Sequence, residues 1–298
     1  MAVPIFMVIS GFVYTKSFQK NNIESMGEAY TLNTILGKVI RYTVPFAVAF
    51  FIEEVAFTLL GIIHQSILQV IFSFLNGGLG PGSYYYPIMI QFIFFFPVIY
   101  FIICKYDFRG LILCGFINFA YEILKRSYRM NEDCYRLLLF RYTLLIAYGC
   151  YLAIGTYRRH KVLSLLSFGI GIIYIIGFQY IGLTPIITNY WTDTSMWSCL
   201  FIIPISSPLI LNKAKNRFLE ILGKASFNIF LVQMVYYNGA KLIYKYVGNR
   251  ALQLVINIII CVSVGLAFYY VETPLTKRIS ANAFNLLNRY RMKFSKNT

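Results

Sequence analysis

Charged residues are scarce in this sequence, and acidic residues are the scarcer kind. Only 13% of the 298 residues are charged, whereas a soluble globular domain carries about a quarter. The 27 Lys and Arg residues outnumber 11 Asp and Glu. With 58% hydrophobic residues and a mean hydropathy of +0.64, this composition excludes an ordinary soluble domain. We therefore attribute the excess of basic residues to cytoplasmic loops and to attraction of membrane lipids, and not to nucleic-acid binding.

Histidine is also rare, and the cysteines form no pattern. His64 and His160 lie far apart in the sequence and make no metal-ligand spacing. No C-x-x-C pair occurs, and most of the six cysteines lie in or beside apolar runs, where they act as small buried side chains. The sequence therefore predicts no metal, no bound cofactor and no disulfide framework. It also lacks the basic stretch and cleavage site of a signal peptide.

Apolar segments recur along the whole chain and predict an all-α, polytopic transmembrane helix bundle. Nine of them reach or approach the roughly 20 residues that cross a bilayer. They cover residues 2–14, 42–63, 84–104, 108–121, 136–155, 162–180, 195–211, 218–237 and 251–271. With Met1 outside, the inner loops carry 18 Lys and Arg and the outer loops six. This bias predicts a multi-pass protein of the inner or plasma membrane with a cytoplasmic C-terminus.

One domain is expected from residue 1 to residue 282, followed by a basic tail over residues 283–298 at the inner membrane surface. An extracytoplasmic loop precedes Tyr84, Tyr85 and Tyr86. These tyrosines suit either an interfacial aromatic belt or an acceptor site in which sugar rings stack on aromatic faces.

Four stretches carry small or charged residues at places where an apolar helix does not need them. Residues 3–12 read VPIFMVISGF, and Ser10 and Gly11 allow a helix or a ligand to approach closely. Residues 38–45 read KVIRYTVP, and Lys38 and Arg41 share one helical face. They suit an anionic ligand, although positive-inside anchoring also explains them.

The third and fourth stretches bring charges into or beside the membrane. Residues 135–149 read YRLLLFRYTLLIAYG, and Arg141 falls inside an apolar run. It should face a polar cavity or a partner, or extend to the outer interface. The fourth stretch has two parts, LGKASFNIFLVQ at residues 222–233 and VETPLTKR at residues 271–278. Its second part predicts an ion pair between Glu272 and Arg278.

Read in order, these stretches resemble acyltransferase family 3, the membrane O-acyltransferases of surface polysaccharides. The resemblance covers nearly the whole chain. It implies an acyltransferase, transferring groups other than amino-acyl groups, that takes an acyl group, usually acetyl, from cytoplasmic acyl-CoA. The acceptor would be a hydroxyl of a surface glycan or a lipid-linked sugar. Lys38 and Arg41 would bind the phosphates of the donor. The residues expected at the central cavity are Ser10, Gly11, Arg136, Arg141 and Gln233.

The resemblance leaves one element unmatched. The family's first helix carries an Arg, ten residues and then the His that is taken as the catalytic base, ahead of the SGF helix. This sequence starts nine residues before Ser10 and shows neither residue. Gln233 stands where a second His is frequent, and an amide is no base near pH 7. We therefore expect the chain as given to lack its catalytic residue and to be inactive.

Two explanations fit this gap: a truncated ten-helix enzyme, which we favour, or a member that has lost the chemistry. Two other classes of function stay open. One is a transporter or flippase for a lipid-linked sugar, and the other is a non-catalytic membrane subunit. The first predicts transport without acyl-CoA, and the second predicts a membrane protein partner.

Overall fold

The computed structural model describes residues 2–79, 82, 84–155, 161–181, 196–211, 216–245 and 247–294. All regular structure in these residues is helical, as the sequence predicts. The helices are α1 (Ala2–Lys20), α2 (Met26–Ala29), α3 (Leu32–Leu59), α4 (Ile67–Leu75), α5 (Tyr85–Tyr106), α6 (Phe108–Ser127), α7 (Glu132–Leu137), α8 (Thr143–Ile154), α9 (Lys161–Ile181), α10 (Met196–Cys199), α11 (Ile202–Leu211), α12 (Arg217–Tyr244) and α13 (Arg250–Phe294). A 3-10 turn, Leu139–Tyr142, precedes α8.

Four helical segments of the described chain are long and apolar enough to cross a membrane. They are Met26–Leu59, Tyr85–Tyr106, Arg217–Ala240 and Arg250–Arg289, and two shorter apolar helices are Leu139–Ile154 and Ser164–Gly177. These helices support a membrane protein, but the prediction of nine crossings is not confirmed. Two of the predicted segments are broken, because residues 136–155 fold as α7, a 3-10 turn and α8, and residues 195–211 as α10 and α11.

The chain divides into two compact units, and the division falls within α5. Unit 1 comprises Met1–Thr31 and Gln91–Ala214, and unit 2 comprises Leu32–Ile90 and Lys215–Thr298. The predicted boundary at residue 282 is no helix end, because α13 continues through it to Phe294. The beginning of the predicted tail is therefore part of a long helix.

In unit 1, α1 and α8 pack with their backbones almost in contact. A Cβ atom on Gly11 would fall on the backbone of Ile146, and one on Gly149 would fall on the carbonyl oxygen of Val8. Glycine at both positions is what permits this approach. At the end of this pair, Lys16 Nζ donates a 2.7 Å hydrogen bond to the carbonyl oxygen of Ala153 in the last turn of α8.

In unit 2, α12 and α13 form a helical hairpin across the short connection that precedes Arg250, and α3 packs against both helices. Aromatic side chains fill the space beside α3. The ring of Phe46 stacks on that of Tyr86 with centroids 3.8 Å apart, and Phe74 lies beside both rings. Such pairs contribute about 0.5–1.5 kcal/mol beyond the apolar area that they bury.

Candidate functional site

The four motif stretches meet in pairs, one pair in each unit. In unit 1, Gly11 of the first stretch lies against Ile146 of the third, and Gly149 of the third lies against the first. Close helix packing therefore accounts for Gly11, which is buried. Ser10 next to it is half-buried. Gly11, one of the two cavity residues predicted in the first stretch, thus lies at an interface between helices.

Arg141 lies in the 3-10 turn of unit 1 and is 1% exposed. Its Nη2 donates a 2.7 Å hydrogen bond to Tyr142 Oη. The guanidinium carbon is 5.1 Å from the ring centroid of Tyr135 and 4.7 Å from that of Tyr142. Cation–π attraction at such distances stabilises a buried cation by about 0.5–2 kcal/mol. The side chain is therefore enclosed by protein and does not extend to an interface.

Two further residues of charged type lie in this buried cluster, and neither was predicted from the sequence to belong to it. Glu122 is fully buried, and its Oε1 accepts hydrogen bonds from Tyr135 Oη at 2.6 Å and from the Met196 amide at 3.0 Å. Lys125 is 3% exposed, with Nζ 3.9 Å from the Tyr135 centroid. The available signal was their spacing of three residues, which puts both on one face if the apolar helix continues past residue 121.

Arg136 does not belong to this buried cluster. It lies in the last turn of α7 and is exposed. Of the two arginines that the third stretch offers, only Arg141 is buried.

In unit 2, three contacts join the first halves of α3 and α12 to the second half of α13. The rings of Tyr42 and Phe227 meet edge to face with centroids 5.0 Å apart. Asn228 Nδ2 donates a 3.1 Å hydrogen bond to Glu272 Oε2. A Cβ atom on Gly37 would lie 3.3 Å from Phe284 Cζ. The second stretch and both parts of the fourth therefore lie together.

This end of unit 2 is basic. Lys38 and Arg41 fall between Gly37 and Tyr42 on α3, and Lys277 and Arg278 fall between Glu272 and Phe284 on α13. Arg41, Lys277 and Arg278 are exposed, and Lys38 is half-buried. Lys224, one turn before Asn228, forms an exposed ion pair of 2.7 Å with Glu220. We call the four cations on α3 and α13 the basic end of unit 2.

Glu272 has partners other than the predicted one. Its carboxylate accepts from Asn228, as above, and also from the hydroxyl of Thr276. Arg278 lies six residues further along the same helix, whereas side chains meet when they are three or four residues apart. The residue thus joins α12 to α13 through a neutral partner and does not pair with Arg278.

A second buried carboxylate of unit 2 was also missed. Glu53 of α3 is 1% exposed and accepts a hydrogen bond from the side-chain amide of Asn238 in α12. The sequence offered a signal for it, because Glu53 and Glu54 are adjacent inside an apolar run, where burying a carboxylate is energetically costly. Gln233, expected at the cavity, is half-buried on α12.

The three tyrosines after the glycine-rich loop pack against protein to different degrees. Tyr85 is 6% and Tyr86 is 9% exposed. Tyr85 contacts Phe230 with ring centroids 4.7 Å apart, and Tyr86 stacks on Phe46 and lies 3.1 Å from the hydroxyl of Thr43. These two rings are already covered, and Tyr84 is half-buried. Gly80, Pro81 and Ser83 of the loop, like His160 and the last four residues of the tail, lie outside the described residues.

Comparisons of this chain with protein-family models, curated proteins and solved structures find no match.

Proposed function

We propose that the protein is a membrane O-acyltransferase of the family 3 type. It would take an acyl group, acetyl in the first instance, from acyl-CoA and transfer it to a hydroxyl of a surface polysaccharide or a lipid-linked sugar. The observation that carries this proposal is the basic end of unit 2. There, stretches separated by about 230 residues in the sequence meet, and they carry Lys38, Arg41, Lys277 and Arg278.

The charges at this end suit the donor. Coenzyme A carries several phosphate groups, and hydrogen bonds between cations and phosphates are shorter and stronger than neutral ones. Arg41 offers a planar fork and Lys38 a compact charge. The charge bias of the loops predicts that this end faces the cytoplasm, where acyl-CoA is available. Binding of the donor there requires no group from the extracytoplasmic side.

The transfer itself would form a C–O ester bond at the acceptor and break the C–S bond of the thioester. The acceptor hydroxyl proton would pass to a base and then to the CoA thiolate. The resemblance assigns that base to a histidine that corresponds to neither His64 nor His160. Donor binding is therefore the sharper test of the proposal, because it depends on residues that this chain carries.

The test is a titration of the purified protein in lipid nanodiscs with acetyl-CoA at two salt concentrations. The proposal predicts saturable binding that weakens as the salt concentration rises, since the contacts are ionic. In the double variant Lys38→Ala/Arg41→Ala, binding should weaken at least about tenfold, because each charged hydrogen bond contributes about 1.5–3 kcal/mol.

The matched control is Lys245→Ala/Arg250→Ala. It also removes two cations from unit 2, both of them exposed, but from the opposite end of the α12–α13 hairpin. Its affinity should equal that of the unchanged protein. Equal affinity in all three proteins, or no saturable binding in any, would reject the proposed donor site and would favour a transporter or a non-catalytic subunit.

A further inference from the structure

Unit 1 contains a cavity of 440 Å³ that the proposed reaction does not use. It lies between α6, α8 and the first half of α9. Its walls include Phe108, Ile112, Phe116 and Phe119 of α6, and Leu144 and Tyr148 of α8. Its volume is within the range of cavities that bind small molecules, about 300–1,000 Å³.

The cavity extends along the helices. Its wall on α6 runs from Phe108 to Phe119, which is about 17 Å at 1.5 Å per residue. Such a shape suits an extended chain better than a compact ring. It also places the two ends of the cavity at different depths along the helix bundle.

The lining chemistry excludes a charged or sugar-like occupant. Among the residues that the structure describes, no charged side chain lines the cavity, and the polar groups are the hydroxyls of two tyrosines and of Ser164 and Ser167. A phosphate or a sugar would have to give up its hydration there without replacement hydrogen bonds. Apolar cavities of this kind stay dry and bind hydrocarbons.

Two of these hydroxyls belong to α9. Ser164 and Ser167 lie in its first two turns, about 5 and 9 Å from its start at Lys161. The Ser167 oxygen is buried and has no hydrogen-bond partner among the described residues. It is enclosed by protein and offers an occupant no accessible oxygen, so a plain hydrocarbon chain matches the lining.

The mouth of the cavity is also apolar. Ile112 and Phe116, on the outer side of its α6 wall, are 46% and 64% exposed. Lipid hydrocarbon covers such large exposed apolar groups more favourably than water does, and an opening between them would admit it to the cavity.

We propose that this cavity binds one acyl chain of a bilayer phospholipid, held by the apolar walls of the cavity. The site involves none of the residues assigned to the acyl-CoA donor. It therefore stands or falls independently of the acyltransferase proposal.

The test uses the protein in nanodiscs that contain phosphatidylcholine with a diazirine near the end of one acyl chain. After illumination, adducts are mapped by peptide mass spectrometry. Tyr148 and Tyr151 line the cavity and are 3% and 2% exposed, so adducts on them report a chain inside it. Ile173 of α9 is 72% exposed and reports the bulk lipid.

Gly115 offers a way to fill the cavity. A Cβ atom there would meet only Leu144 Cδ1, at an ordinary 3.6 Å, so Gly115→Leu places a side chain in the space without a backbone clash. Leu144→Phe narrows the cavity from the opposite wall. Gly169→Leu is the matched control, because a Cβ atom at Gly169 meets nothing within 4 Å and the residue does not line the cavity.

We expect adducts on Tyr148 and Tyr151 in the unchanged protein and in Gly169→Leu, and loss of these adducts in Gly115→Leu and Leu144→Phe. Adducts on Ile173 should persist in all four proteins, and a melting temperature close to that of the unchanged protein shows that each variant is folded. The proposal is overturned if the unchanged protein gives no adduct on either tyrosine, or if either filling variant keeps them. It is equally overturned if a diazirine-bearing polyprenyl phosphate labels the tyrosines and the phospholipid does not.

Discussion

Asn228 and Glu272 form a buried hydrogen bond of 3.1 Å that joins α12 to α13 in unit 2. Each residue is 5% exposed. The bond connects the two parts of the fourth motif stretch, which are 44 residues apart. Burying a carboxylate without hydrogen-bond partners costs free energy, and the hydrogen bond from Asn228 offsets part of that cost for Glu272. The pair thereby supports the helix segments that carry the four cations of the basic end of unit 2.

A double-mutant cycle on this pair tests that role. Asn228→Ala should lower the stability of the protein by about 1–3 kcal/mol, since it leaves a buried carboxylate with Thr276 as its remaining partner. Glu272→Gln and the double variant complete the cycle, measured as unfolding in detergent micelles. Strictly additive losses would show that the two residues are not coupled.

The approach of α1 to α8 predicts a sharp difference between two glycines. Gly11→Leu should destabilise unit 1 by about 3 kcal/mol or more, because its side chain would have to enter the backbone of Ile146. Gly169→Leu should change stability by less than about 0.5 kcal/mol, since open space surrounds that position. The measurement is the melting temperature in detergent. Similar values for both variants would contradict the packing described for α1 and α8.

The hydroxyl of Tyr135 should contribute to stability in addition to the contacts that its ring makes. Tyr135→Phe keeps the ring beneath Lys125 and Arg141 but removes the 2.6 Å hydrogen bond to Glu122. A loss of about 1–3 kcal/mol is expected, as for other buried carboxylates that lose a donor. Tyr128→Phe, at a position 76% exposed, is the control. An equal effect of the two substitutions would argue against the hydrogen-bond network.

Substitutions of Tyr86 distinguish a role of its ring in packing from a role in binding a sugar. Tyr86→Ala should cost about 3–5 kcal/mol of stability, because the ring stacked on Phe46 would leave a cavity. Tyr86→Phe keeps that stacking and should cost about 1 kcal/mol, for the contact with Thr43. If Tyr86→Ala were as stable as the unchanged protein, the ring would be free for another partner.

The sequence predicts the helices better than it predicts their breaks. Long apolar runs correspond to α3, α5, α12 and α13, because composition and length alone decide whether a helix suits a membrane. The run around Arg141 was predicted as one helix, but it folds as two helices and a 3-10 turn. The buried arginine and its tyrosine partners are tertiary contacts, which hydropathy does not report.

The residues of the candidate site were likewise predicted only in part. Lys38 and Arg41 share a helical face, as their spacing predicts, and Arg141 was expected to find a partner. Glu122 and Lys125 were assigned to a loop, because hydropathy falls at residue 121 although the helix continues to Ser127. The partners of Glu272 were missed for a different reason. Asn228 is a neutral residue on another helix, and a search for opposite charges overlooks it.

Mapping the residues that the acyl-CoA donor contacts tests the acyltransferase proposal most directly. A photoreactive coenzyme A analogue is cross-linked to the protein in nanodiscs, with and without excess acetyl-CoA, and the adducts are mapped. The proposal predicts adducts within residues 32–45 or 272–289 of unit 2 that disappear when acetyl-CoA is in excess. Competed adducts confined to unit 1, or no competed adducts at all, would contradict it.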